Sequence, residues 1–179
     1  SSVIFFLLLG FCIWTVNLKI TDISLSQFGV HKQTSSIWNG VLFLIGILLY
    51  IESLKNLINH FTEIPKSLMF LFTFSSIFLL LTALVDMSYR IHNIFAILFF
   101  IGYSSSIFLF GKKLLPTNFR IGISSIVISL MSIFIPVYLT YILPGLAIPE
   151  ISHTIFIFLW IIMMSWESEF RNILKKVGF

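Results

Sequence analysis

The chain has 179 residues, 58% of them hydrophobic and only 10% charged, and its mean hydropathy is +1.06. Soluble domains are roughly 45–50% apolar and about 25% charged. A core of this size cannot hide 21 phenylalanines, so the composition excludes an ordinary water-soluble domain and makes lipid the natural solvent.

The chain cuts into six apolar runs. A helix crossing a hydrocarbon layer of about 30 Å needs about 20 apolar residues. The first run covers about residues 3–16. It has no basic flank and no small-residue cleavage pattern, and is read as a retained span rather than a signal peptide. It holds the single cysteine, Cys12, which rules out an intrachain disulfide and a Cys-based metal site. The second and third runs cover about 37–54 and 67–85, and "EIPK" breaks the chain between them. The fourth covers about 91–110, and "LPTN" separates it from the fifth, about 119–143. Pro136 inside the fifth predicts a kink. "LPGLAIPE" then leads into the sixth, about 151–166.

Runs that are apolar all round, such as "GVLFLIGILLYI", predict helices rather than the alternating strands of a barrel. The predicted fold is therefore all-α: a polytopic membrane protein built as a six-transmembrane-helix bundle over residues 1–166, with residues 167–179 as a short cytoplasmic tail.

Positive charge sets the predicted orientation. The segments after even-numbered runs hold Lys55, Lys66, Lys112, Lys113, Arg120, Arg171, Lys175 and Lys176. Those after odd-numbered runs hold Lys19, Lys32 and Arg90. This bias places both termini in the cytoplasm. The same pattern explains the net charge of +4 without nucleic acid, for which there is no motif. Trp14, Trp38, Tyr89 and Tyr141 are expected at the outer boundary, and Tyr50 and Trp166 at the inner one. Gly40, Gly46, the serines at 104–106, and Ser125, Ser129 and Ser132 are expected to mark helix contacts. Glu52 and Lys55 read as an ion pair at the inner boundary.

Chemistry-bearing groups gather on the outer side. Asp22, His31, Asp86, Arg90, His92, Glu150 and His153 all fall there, whereas the cytoplasmic side carries only His60 among the histidines. Asp86, His92, Glu150 and His153 are the candidate catalytic groups, since His with carboxylate can act as a general acid–base pair. Asp86, His92 and His153 are the candidate ligands for a divalent metal such as zinc. The pattern calls for no cofactor, because no two histidines have a local metal spacing. Ser26, Asn39, Arg90 and Trp160 are the candidate ligand-binding residues.

Each group also has a structural role. Asp86 and Arg90, four apart, can pair at the interface. His92 can bond a neighbouring helix end. Pro149 and Glu150 resemble an ordinary helix start, and Glu150 can pair with His153 one turn on. "SQFG" at 26–29 predicts a turn with Gly29 at positive φ. Trp160 is expected to pack inside the bundle. No GxSxG, HExxH, Walker or CxxCH motif occurs, and no charge sits mid-span, which argues against an ion-coupled pump.

Three stretches together resemble a known family: "DISLSQFGVHKQTSSIWNGVLFLIGIL", "YRIHNIFAILFFIGYSSSIFLFG" and "GLAIPEISHTIFIFLW". The order and spacing of these motifs are similar to those of the prokaryotic six-span membrane family catalogued as domain of unknown function 998. His92, Glu150 and Trp160 match that pattern. The acid that commonly follows its serine is replaced here by Gln27. The resemblance implies a six-span fold with an outward polar site in a prokaryotic cytoplasmic membrane, and it implies no reaction.

Three functions fit these residues. The first is a non-enzymatic binding or accessory protein, holding a membrane lipid or a partner membrane protein through an outward-facing polar mouth. The second is a membrane-embedded lipid hydrolase or transferase, with or without a metal. The third is a passive transporter or the substrate-binding subunit of one.

Overall fold

The computed structural model describes residues 2–16, 19–59, 65–85, 87 and 89–177, with side chains over 4–16, 19–51, 65–85, 87 and 89–166. Six α-helices follow one another: α1 (Ser2–Val16), α2 (Ser35–Asn59), α3 (Lys66–Leu84), α4 (Arg90–Leu114), α5 (Phe119–Ile142) and α6 (Ala147–Val177). A short 3-10 turn, Leu25–Gly29, lies between α1 and α2. No strand occurs among the described residues. Among the described residues four helices are long and apolar enough to cross a membrane: α3, α4, α5 and the Ala147–Trp166 part of α6. Two apolar stretches, Ile4–Val16 and Ser35–Ile51, are shorter. Large apolar side chains such as Leu7, Phe70, Leu84 and Phe134 are exposed on the outside. A continuous apolar exterior of this kind suits hydrocarbon rather than water.

The helices pack mainly against their chain neighbours from α2 to α6, and α4 also meets α6. Phe5 of α1 bridges the remaining gap, with its ring 6.2 Å from Trp38 of α2 and 5.7 Å from Phe158 of α6. Small residues bring backbones together. At the α4–α5 crossing, a Cβ on Gly122 would lie 2.8 Å from the Leu115 nitrogen and 3.0 Å from the Gly111 carbonyl oxygen. Gly46 meets Leu80 of α3, whereas Gly40 has nothing within 4 Å and marks no contact.

Hydrogen bonds join the same helices. Ser104, Ser106, Ser125, Ser129 and Ser132 are all buried. Ser129 donates to the Ser104 carbonyl at 2.7 Å, and the Ser104 and Ser132 hydroxyls are 2.7 Å apart. Such bonds contribute about 0.6 kcal/mol each and at most about 1.7 in a membrane setting. Pro136 lacks an N–H, which leaves the Ser132 carbonyl without its intrahelical donor. The His153 imidazole reaches that carbonyl as well as the Ser104 hydroxyl, at 3.2 Å. Of the small residues expected from the sequence, Gly46, Ser104, Ser125, Ser129 and Ser132 are thus helix contacts.

The sixth helix begins at Ala147, and Pro149 lies in its first turn, where no intrahelical N–H bond is required. It runs unbroken past Trp166 to Val177. One expectation needs correction. Trp38 is 1% exposed and sits between Phe5 and Phe28 rather than in a boundary belt. Trp14, Tyr89, Tyr141 and Trp166 are exposed, as boundary residues would be.

Candidate functional site

The described residues of the connections, 19–34, 85, 87, 89 and 143–146, share one end of the bundle, and the 19–34 segment folds over it as a cap. Ile23, Leu25 and Phe28 supply its apolar underside. Two backbone bonds dock the cap on the α5–α6 turn: Gly145 N–H to the Thr21 carbonyl and Ala147 N–H to the Ile23 carbonyl, both 2.8 Å. Gly145 is required there, because an added Cβ would lie 2.5 Å from Ile23 backbone atoms. At the other edge Asn39 Nδ2 donates to the Gly29 carbonyl at 3.0 Å, and the Thr34 hydroxyl donates to the Phe28 carbonyl at 2.8 Å. Gly29 does not have the expected positive φ; it is small because Asn39 crowds it.

Glu150 fixes the start of the 3-10 turn. The Leu25 N–H donates to Glu150 Oε2 at 2.7 Å, joining positions 125 residues apart. The first N–H groups of a helical turn have no internal partner, and a carboxylate is a strong acceptor for one. Ser26 follows directly. Its hydroxyl is 2.8 Å from His92 Nε2, and His92 Nδ1 is 2.8 Å from the Val85 carbonyl at the end of α3. A carbonyl only accepts, so in the neutral imidazole Nδ1 carries the proton and Nε2 presents its lone pair to the Ser26 hydroxyl. His92 therefore does bond a neighbouring helix end, as its position predicts. It is 5% exposed and stands behind Ser26.

Beneath the cap, a partly open cleft of about 70 Å³ enters the bundle between α1, the 3-10 turn, α2, α3, α4 and α6. Its walls are mainly apolar, for example Leu42, Leu79, Phe99 and Phe158. The polar exceptions include Ser26, Thr82 and Glu150, and Trp38 also contributes to the wall. Among the described residues Trp38 Nε1 is buried with no hydrogen-bond partner, as are Ser24 Oγ and His31 Nδ1.

The structure thus brings together Ser26, His92 and Glu150, and it separates the other candidates. His153, 5% exposed, belongs to the serine network between α4 and α5, with the Phe100 ring 4.4 Å away. Glu150 and His153 do not pair with each other; each has its own partner. Trp160 packs inside the bundle, donating to Ser125 Oγ at 3.0 Å and stacking on Phe72. Asn39 braces the cap, and Arg90 is exposed at the start of α4. Asp86, its pairing with Arg90, His60, and the Glu52 and Lys55 side chains lie outside the described residues. Among the described residues no three His, Cys, Asp or Glu side chains converge as metal ligands. Sequence reasoning missed the Ser26–His92 pairing and the role of Trp38 in the cleft. The paired residues are 66 positions apart, and no local spacing signals such a contact.

The chain matches the family described as "Protein of unknown function (DUF998)" over residues 1–167. This chain belongs to the DUF998 family. No curated protein and no solved structure matches it. The matched region takes in the cap, the cleft and the helices that position Ser26, His92 and Glu150.

Proposed function

We propose that this DUF998 protein binds the polar end of a membrane lipid in the cleft under the cap. The observation that carries the reading is the Trp38 indole. It is 1% exposed, it forms part of the cleft wall, and its N–H has no partner among the described residues. A buried donor left unpaired costs about 1–3 kcal/mol, and a carbonyl, ester or phosphate oxygen that reaches it relieves that cost. The space of about 70 Å³ takes roughly a few non-hydrogen atoms, less than the cavity that holds benzene. What enters is therefore the head end of an amphiphile, with its tail left in the surrounding hydrocarbon.

The reading includes a topology. All six helices cross a prokaryotic cytoplasmic membrane, both termini are cytoplasmic, and the cap faces outward, as the distribution of Lys and Arg favours. Cysteines placed one at a time at the exposed Lys32 and Lys113 test it. A membrane-impermeant maleimide applied to intact cells should label Lys32→Cys and spare Lys113→Cys; the reverse pattern would overturn the orientation.

Lipid binding itself is tested by gentle detergent purification followed by mass spectrometry of the intact complex. Trp38→Phe should keep the fold and lower lipid retention about 2- to 12-fold, the equivalent of one hydrogen bond of roughly 0.5–1.5 kcal/mol. Unchanged retention in a well-folded Trp38→Phe variant would remove the indole from the site.

A further inference from the structure

We propose that Ser26 and His92 form a nucleophile–base pair that attacks the acyl ester of a lipid held in the cleft. The inference rests on the lipid-head reading above and adds a reaction to it. Three observations carry it. The Ser26 hydroxyl lies 2.8 Å from His92 Nε2, within the range needed for proton transfer. The Val85 carbonyl, 2.8 Å from Nδ1, fixes the tautomer in which Nε2 is the free base, the orienting role that a third group plays in acyl-transfer sites. Ser26 also lines the cleft, whereas His92 is buried behind it and is not part of the lining. A purely structural histidine would need neither the open serine nor the cleft in front of it.

The reaction balances without a metal or a redox partner. Ser26 Oγ attacks the ester carbonyl carbon and its proton passes to His92 Nε2. The Oγ–C bond forms and the carbonyl oxygen gains negative charge. The carbon–oxygen bond to the alcohol then breaks, and the proton on Nε2 goes to the departing oxygen. Water attacks the acyl-serine next, gives one proton to His92, and releases the carboxylic acid as the proton returns to Ser26. An acceptor alcohol in place of water makes the same cycle a transfer. Glu150 is a positioning residue, holding the Leu25 N–H and through it the turn that carries Ser26. A neutral carbonyl steadies the imidazole without supplying the charge stabilisation that a buried aspartate gives, so turnover should be slow.

The test uses the purified full chain in detergent with a long-chain alkyl fluorophosphonate, read by intact mass and by peptide mapping. One adduct per chain, mapped to Ser26 in the unsubstituted protein, is the expected result; it does not depend on any variant folding. Ser26→Ala should abolish the adduct while still retaining lipid. His92→Gln should slow labelling about 100-fold or more, the scale of a lost general base. Ser104→Ala, outside the cleft, should label like the parent. Protein that retains lipid but forms no adduct at Ser26, or an adduct that survives Ser26→Ala, would overturn the pair. An adduct at Ser26 in protein that retains no lipid would uphold the pair and overturn the lipid-head reading instead.

Discussion

Gly145→Ala is expected to destabilise the protein by about 3 kcal/mol, although it adds a single methyl group. The added Cβ would lie 2.5 Å from both the Ile23 nitrogen and oxygen and 2.7 Å from the Asp22 carbonyl carbon. All three are backbone atoms, so no side-chain rotation relieves the overlap. The cap must lift, which breaks the bonds from Gly145 to Thr21 and from Ala147 to Ile23. Two hydrogen bonds at roughly 0.5–1.5 kcal/mol each, with overpacking strain of about 1–3 kcal/mol, set the magnitude. Gly40→Ala is the control. Nothing lies within 4 Å of that site, and alanine in a helix interior is favoured over glycine by about 0.5–1 kcal/mol. Thermal unfolding in detergent, followed by circular dichroism, should lower the midpoint for Gly145→Ala and hold or raise it for Gly40→Ala. Equal midpoints for the Gly145 variant and the parent would mean that the cap is not docked there.

Glu150→Ala is the second large effect, at about 2 kcal/mol, and it separates an acceptor role from a charge role. Removing the carboxylate leaves the Leu25 N–H buried without a partner, since Leu25 is only 7% exposed. That omission costs about 1–3 kcal/mol. Glu150→Gln keeps an oxygen that can accept from the same N–H and should stay within about 1 kcal/mol of the parent. The alanine variant should also slow fluorophosphonate labelling of Ser26, because the turn carrying that residue loses its anchor. Paired measurement of stability and labelling rate across the two variants checks this. Equal losses for Gln and Ala would show that the negative charge itself holds the cap.

Much of this architecture is legible in the sequence, and the reason is physical. Each backbone group in hydrocarbon must be paired within its own segment, so apolar runs between "EIPK", "LPTN" and "LPGLAIPE" fall within helices of the observed bundle. The serines at 125, 129 and 132 announce a contact face by their spacing alone; Ser104 of α4 meets the last two, and Trp160 of α6 meets Ser125. Four helices reach the length of a full crossing; the shorter α1 is apolar over Ile4–Val16, and nothing in its composition separates it from the longer runs. Where a sequence rule names a residue type without its partner, it misplaces the residue. Trp38 looks like a boundary anchor because it opens an apolar run. The cap brings Phe28 down on it, 5.2 Å between ring centroids, and buries it.

The site was legible as a set of residues and not as a constellation. His92 and Glu150 stand out by type at the ends of apolar runs, and Ser26 by the motif it shares with the family. Their grouping depends on the cap, which places Ser26 against a histidine 66 positions away and Leu25 against a carboxylate 125 positions away. His153 carries the same chemistry in sequence, yet the carbonyl freed by Pro136 and the Ser104 hydroxyl draw it into the helix-packing network. A helical spacing of three residues puts Glu150 and His153 on neighbouring positions, and tertiary partners pull them apart.

The most direct test of the account is to map where a lipid head sits in the protein. A phospholipid carrying a photoactivatable diazirine beside its head-group ester would be exchanged into the detergent-solubilised full chain, irradiated, and traced by peptide mass spectrometry. Crosslinks are expected to concentrate on the cleft wall, at Ser26, Trp38 and Thr82, and to fall in Trp38→Phe. Crosslinks confined to exposed positions such as Leu84, Ile91 and Phe134, unchanged in that variant, would contradict the lipid-head reading and leave the cleft as a packing defect beneath the cap.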